Sequence, residues 1–149
     1  MRLVGAIFSL GLLLFGSVCP AQVIKSVDDY KAEAKAAVSS INITDAKKLV
    51  GDDAFVFIDV REGDELDRLG KIEGSVHVSR GVLEFYIDPG SSMHMDVFSS
   101  DKQLVFYCAT GGRSLLAAKV AKDMGMRNPL YLEGGYKAWK EGVETQFQE

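Results

Sequence analysis

Leu104-Val105-Phe106-Tyr107-Cys108-Ala109-Thr110-Gly111-Gly112-Arg113-Ser114 changes character twice in a short span. Residues 104–108 form a continuous apolar run, the pattern of a strand covered on both faces, as in a parallel sheet. From 114 to 124 the apolar residues Leu116, Ala117, Val120, Ala121 and Met124 recur at helical spacing, with Lys119, Lys122 and Asp123 on the outside. Gly125 stops that helix. A loop with two adjacent glycines joins the elements. Strand, tight loop and helix in that order are the repeating unit of a layered α/β fold.

The flanking sequence repeats the alternation. Residues 54–60 (AFVFIDV) are a second continuous apolar run. A charged helix follows over 62–69, then a turn over 70–74 and a short strand over 75–78. Residues 82–87 give one or two helical turns, stopped by Asp88-Pro89-Gly90. The stretch 91–101 has no clear period. Residues 130–132 form a last short strand, and 136–140 a helix closed by Gly142. Upstream, 27–40 is rich in Ala, Lys and Glu and lacks Gly and Pro, so it reads as a helix. Its apolar residues are mainly alanines, which suggests a peripheral covering element. Thr44 reads as the N-cap of a helix through Val50, with Ala46, Leu49 and Val50 facing inward. The expected architecture is an α/β fold with a mostly parallel central sheet and helices on both faces.

The chain has 149 residues, 47% hydrophobic and 26% charged, enough for one globular domain. Its net charge of -4 argues against a nucleic-acid partner, which requires a basic face. Two cysteines and two histidines are too few for a disulfide scaffold or a Cys/His zinc module. Arg2 is the only charge before Lys25, and residues 3–16 are almost wholly apolar. That run is short for a membrane span but fits a secretory signal, with cleavage after Ala21. An uncleaved anchor and lipidation at Cys19 are the competing readings, although bulky Val18 precedes the cysteine. Residues 1–21 are thus read as signal, 22–40 as a helical extension and 41–145 as the domain. The expected mature protein is periplasmic or secreted, with no stable membrane insertion. Cleavage leaves Cys108 as its single thiol, which cannot form an intramolecular disulfide.

The loop from Cys108 to Ser114 carries the chemistry. In open parallel sheets, ligands bind beyond the carboxyl ends of strands, where this loop falls. Gly111 and Gly112 permit a curve tight enough for successive backbone N–H groups of Ala109, Thr110 and the glycines to point inward, making an anion nest. The following helix N-terminus adds positive partial charge. Such surroundings favour the thiolate, the nucleophilic form of cysteine. Arg113, always charged, can pair with an anion or support the sulfur. A small apolar residue closing a buried strand is the plainer reading of Cys108, but it leaves the glycine pair and the arginine unexplained.

CATGGRS resembles the Cys-x-x-Gly-x-Arg-Ser active-site loop of single-domain rhodaneses, the sulfurtransferase family. Phe57-Ile58-Asp59-Val60-Arg61-Glu62 is similar to the family's Asp-x-Arg element. Residues 70–76 (GKIEGSV) resemble its Gly-His-Ile-Pro-Gly-Ala segment. Residues 132–139 (LEGGYKAW) resemble its Gly-Gly-x-x-x-Trp motif. The resemblance implies a rhodanese-like fold and a relay in which Cys108 takes a sulfane sulfur from a small donor, thiosulfate or a persulfide. The resulting persulfide passes it to a thiol or cyanide acceptor, with no metal or organic cofactor. Ala109, Thr110, Gly111, Gly112 and Ser114 would cradle the persulfide beside Arg113. A binding or persulfide-sensing module with little turnover is the alternative. Phosphatases of related fold place five residues between Cys and Arg and usually a His before the Cys; here there are four, after Tyr107.

Other residues are weighed individually. Asp59 and Arg61 are expected to brace loops at the strand end. Arg80 has two readings, substrate steering or a surface ion pair. Because Ala109 and Thr110 are uncharged, Arg113 and Arg80 are the cations expected to meet an anionic donor. His77 is expected at a strand position without chemistry. His94 between Met93 and Met95 is a weak copper pattern. Tyr136 and Trp139 read as core anchors.

Overall fold

The structure, a computed structural model, describes residues 24–144; the signal reading and Cys19 fall outside the described residues. The apolar run before Cys108 becomes β4 (Gln103–Tyr107), the middle strand of a five-stranded sheet. Beside it lie β2 (Phe55–Asp59) and then β3 (Val76–His77) at one edge. On the other side lie β5 (Leu130–Leu132) and then β1 (Ser39–Ile41). The order is β1-β5-β4-β2-β3, and every pairing is parallel.

Side chains around β4 alternate between two cores, as the strand period of two requires. Leu104, Phe106 and Cys108 enter one cluster, Val105 and Tyr107 the other. Both faces are apolar because helices cover both. α1 (Val27–Ala37), α4 (Leu83–Ile87) and α5 (Gly112–Asp123) contribute to the first cluster. α2 (Ile43–Lys47) and α6 (Gly135–Glu144) contribute Ala46, Tyr136 and Trp139 to the second. α3 (Gly63–Leu69), after β2, buries no residue fully. This is the α/β architecture expected from the alternating pattern.

Several boundaries differ from the sequence reading. The first helix ends at Ala37 rather than at residue 40, because Ser39 to Ile41 pair with β5 as an edge strand. α1 is also less peripheral than its composition suggests. Ala34 is fully buried and Val38 nearly so, since small alanines let α1 lie close against α5. The second helix is capped by Asn42, whose Oδ1 accepts from the Asp45 N–H at 2.9 Å, and not by Thr44; asparagine caps at least as well. Gly142 does not close the last helix, which runs to Glu144. A Cβ at Gly142 would lie 3.2 Å from Ile43 Cγ2, so this glycine marks where α6 crosses α2 closely.

Candidate active site

Cys108 follows β4 directly and is 1% exposed, so the loop covers its sulfur. The Gly111 N–H donates to Cys108 Sγ at 3.2 Å. Gly111 sits at φ +99°, in the left-handed region that glycine tolerates best. The loop's orientation is set from outside. The Cys108 carbonyl accepts from the Tyr136 N–H at 2.7 Å, and the Ala109 carbonyl from the Lys137 N–H at 3.0 Å. These donors belong to the first turn of α6, whose N–H groups have no partner within the helix. In a trans peptide the N–H points opposite to the C=O. The Ala109 and Thr110 N–H groups therefore face away from α6. Gly111 O is in turn held by Leu115 N at 3.0 Å and by the buried Ser114 Oγ at 3.1 Å.

Gly135 makes this docking feasible. At φ +60°, a Cβ there would fall 2.4 Å from the Cys108 carbonyl oxygen and 2.8 Å from Thr110 N. No side chain fits that gap. The Gly134-Gly135 pair is therefore what allows the start of α6 to hold the cysteine loop.

Arg113 closes the loop and is held by a residue the sequence did not single out. Its Nη1 and Nη2 donate to Glu65 Oε2 and Oε1 at 2.7 and 2.8 Å. Hydrogen bonding from Arg113 pulls the Glu65 pKa down to about 2, and the same pairing raises that of Arg113. Glu65 carries a local signal, but it points elsewhere: its carboxylate also accepts from the Glu62 N–H in the capping box of α3.

Asp59 and Arg61 lie together, both fully buried. Arg61 Nε donates to Asp59 Oδ1 at 2.9 Å, Nη2 to Asp59 Oδ2 at 2.6 Å, and Nη2 also to the Gly70 carbonyl at 2.8 Å. The guanidinium packs 4.3 Å from the Tyr136 ring centre and 5.6 Å from that of Tyr107. Burial opposes its charge, but the Asp59 carboxylate more than offsets this and raises its pKa. The pair ties the end of β2 to the turn at Gly70.

Arg80 pairs with Glu84 at 3.2 Å, one helical turn on, and lines a cavity with Tyr30 and Leu116 that includes no residue from 108 to 114. His77 is exposed, with Nε2 2.9 Å from the Arg61 carbonyl. Both nitrogens of His94 are engaged, by Tyr86 O at 3.0 Å and Ser99 Oγ at 2.7 Å. Among the described residues, no group of three or more His, Cys, Asp or Glu is gathered for a metal ion. No helix among them is long and apolar enough to cross a membrane. Tyr136 donates to the Leu69 carbonyl at 3.1 Å, and Trp139 meets Phe57 edge-on with centroids 5.8 Å apart.

Two cavities frame the sheet. One of about 680 Å³ lies at the amino end of β4, against Lys102, Gln103 and Asn128. The other, about 430 Å³, lies at the carboxyl ends, lined by Thr110, Gly111 and Gly112 and by Lys31, Lys35 and Glu133. The second sits where open parallel sheets bind ligands, although it is smaller.

Fold and loop together define an α/β protein with a buried cysteine directly after its middle strand, one loop N–H donating to the sulfur. Residues 42–142 match the Rhodanese-like domain family, and the chain belongs to that family. It is 33% identical over 109 residues to the thiosulfate:glutathione sulfurtransferase of Saccharomyces cerevisiae, covering 68% of this chain and 78% of that protein. A solved structure from Rhodopseudomonas palustris, a protein of unknown function described as a possible tyrosine phosphatase, superposes with a TM-score of 0.79. It is 39% identical and covers 84% of this chain and 96% of that one. The human single-domain sulfurtransferase shares the fold at a TM-score of 0.60 and 24% identity, covering 70% of this chain and 96% of that one.

Proposed function

We propose that the protein is a sulfurtransferase that carries a sulfane sulfur on Cys108. The thiolate attacks the outer sulfur of a donor such as thiosulfate. An Sγ–S bond forms, the donor's S–S bond breaks, and sulfite leaves with the bonding pair. A thiol or cyanide acceptor then takes the terminal sulfur and releases the thiolate. Splitting the transfer into two half-reactions predicts ping-pong kinetics. The reaction as written needs no metal or organic cofactor.

The observation that carries this reading is the aim of the loop amides. Gly111 N–H meets Sγ at 3.2 Å, while α6 holds the Cys108 and Ala109 carbonyls on the other side. The N–H groups so turned are placed to stabilise a sulfur anion as an oxyanion hole stabilises oxygen. The near-complete burial of Cys108 also favours the second reading, a persulfide-holding module with little turnover. Phosphate-ester chemistry, suggested by the description of the Rhodopseudomonas relative, fits less well. Four residues between Cys108 and Arg113 make a small cradle, and both Arg113 Nη groups are already engaged by Glu65. We also read the chain as an exported, periplasmic or secreted protein, on the apolar run at 3–16.

Incubation with thiosulfate should add one sulfur, about 32 Da, to Cys108, and cyanide should remove it. Cys108→Ser should abolish loading. Release of phosphate from p-nitrophenyl phosphate without any sulfur loading would overturn the proposal. A stable persulfide that turns over negligibly would favour the holding module. Cell fractionation with N-terminal sequencing tests export; a cytoplasmic chain retaining Met1 would reject it.

A further inference from the structure

The loop itself offers little free positive charge for an anionic sulfur donor. Ala109 and Thr110 are neutral, and Arg113 is engaged by Glu65 through both Nη groups. The cavity beside the loop brings cations from another element. Thr110, Gly111 and Gly112 line it together with Lys31 and Lys35 of α1. These lysines are four residues apart, so they project from one stripe of the helix. Ala34, fully buried next to them, and the packing of α1 on α5 orient that stripe. Lys31 Cε lies 3.7 Å from where a Cβ on Gly112 would stand, so its stem runs along the loop backbone.

The lysines are only loosely countered. Lys31 Nζ is 3.7 Å from the exposed carboxylate of Asp28, and Lys35 has no ion pair among the described residues. Glu133 also lines the cavity and opposes an anion, but its carboxylate accepts a hydrogen bond from Ser40 Oγ at 2.6 Å. Two cations thus face one carboxylate.

We propose that Lys31 and Lys35 hold the anionic end of the sulfur donor and set a preference for small dianions of the thiosulfate class. This rests on the sulfurtransferase reading. The lysines would draw the sulfonate oxygens to the loop, whose Thr110, Gly111 and Gly112 line their cavity although Cys108 itself does not, and sulfite would leave as Cys108 attacks the outer sulfur. The family match begins at residue 42, so both lysines lie outside the matched domain.

Charge can be tested apart from sulfur transfer. Cys108 in the full chain is alkylated with neutral iodoacetamide and with anionic iodoacetate, and modification at that residue is followed by peptide mass mapping. In Lys31→Gln/Lys35→Gln the iodoacetate-to-iodoacetamide rate ratio is expected to fall about 3- to 10-fold at low ionic strength. KM for thiosulfate should rise by a comparable factor, with kcat little changed. Lys31→Arg/Lys35→Arg should keep the wild-type ratio, as should Lys102→Gln at the opposite end of β4. An unchanged ratio in the glutamine variant overturns the proposal, and so does an arginine variant that behaves like it. A lysine-dependent ratio in a wild-type protein that never loads sulfur would instead overturn the sulfurtransferase reading and leave the anion site standing.

Discussion

Arg113 and Glu65, separated by 48 positions in the chain, meet as a bidentate pair at 2.7 and 2.8 Å. The contact joins α3 to the first turn of α5, and so fixes the arginine that closes the cysteine loop. It also neutralises that arginine. Both Nη groups of the loop's own cation are therefore committed to this contact.

Glu65→Gln is expected to cost about 1 kcal/mol at pH 7, because the pair is partly open to solvent. Arg113 lowers the Glu65 pKa from 4.5 to about 2, so the contribution is complete above pH 4.5 and is lost as pH falls toward 2. Urea unfolding across that window should show the wild type losing more stability than the variant. Parallel curves would reject the assignment.

Gly135→Ala should destabilise the protein by about 2–4 kcal/mol, combining the left-handed backbone with overpacking. The added methyl would fall 2.4 Å from the Cys108 carbonyl oxygen. Relief requires the start of α6 to retreat from the loop, so Cys108 loading should drop even in molecules that remain folded. Denaturant titration and mass spectrometry measure the two effects; unaltered loading would show that α6 does not hold the cradle.

Arg61→Met should cost about 3–5 kcal/mol, because it leaves the Asp59 carboxylate buried without its partner. Asp59→Asn/Arg61→Met should cost clearly less than the sum of the single changes. A double-mutant cycle by chemical denaturation reads the coupling. Strict additivity would mean that the two residues act independently despite their 2.6 Å contact.

Tyr107→Phe should cost about 1–3 kcal/mol by stranding polar groups. The hydroxyl accepts from the Ile72 N–H at 3.2 Å and lies 2.9 Å from Ser75 Oγ. Burial raises the Tyr107 pKa, so the hydroxyl stays neutral and the cost should not vary between pH 6 and 9. Faster hydrogen exchange at the Ile72 amide is the specific readout.

Most strands and helices are legible because each is announced by its own residues; the three-residue edge strand β1 is not. The apolar runs at 54–60 and 104–108 carry the mark of strands buried on both faces, and they became β2 and β4. The structure departs from the local pattern where two signals compete or where a close approach leaves no mark in the sequence. Asn42 and Thr44 are both good caps, and the helix takes Asn42, whose side chain accepts from the Asp45 N–H. Gly142 looked like a stop, yet it serves a helix crossing. The alanines of α1 looked peripheral because a small side chain gives no sign of how closely a neighbour approaches.

The two-cysteine composition, the Cys108-to-Arg113 spacing and the glycines around it belong to the sequence alone, since thiol, curvature and charge are local properties of residues in one loop. Three relationships exist only in the folded chain: Glu65 on Arg113, Gly135 against the Cys108 carbonyl, and Lys31 with Lys35 beside Gly112. Each joins segments far apart in sequence. Parallel strand order brings the ends of β2, β4 and β5 to one edge, and the packing of α1 on α5 adds the lysines. An exposed charge has no periodicity that names its partner, so these contacts follow from topology and close packing rather than from any local pattern.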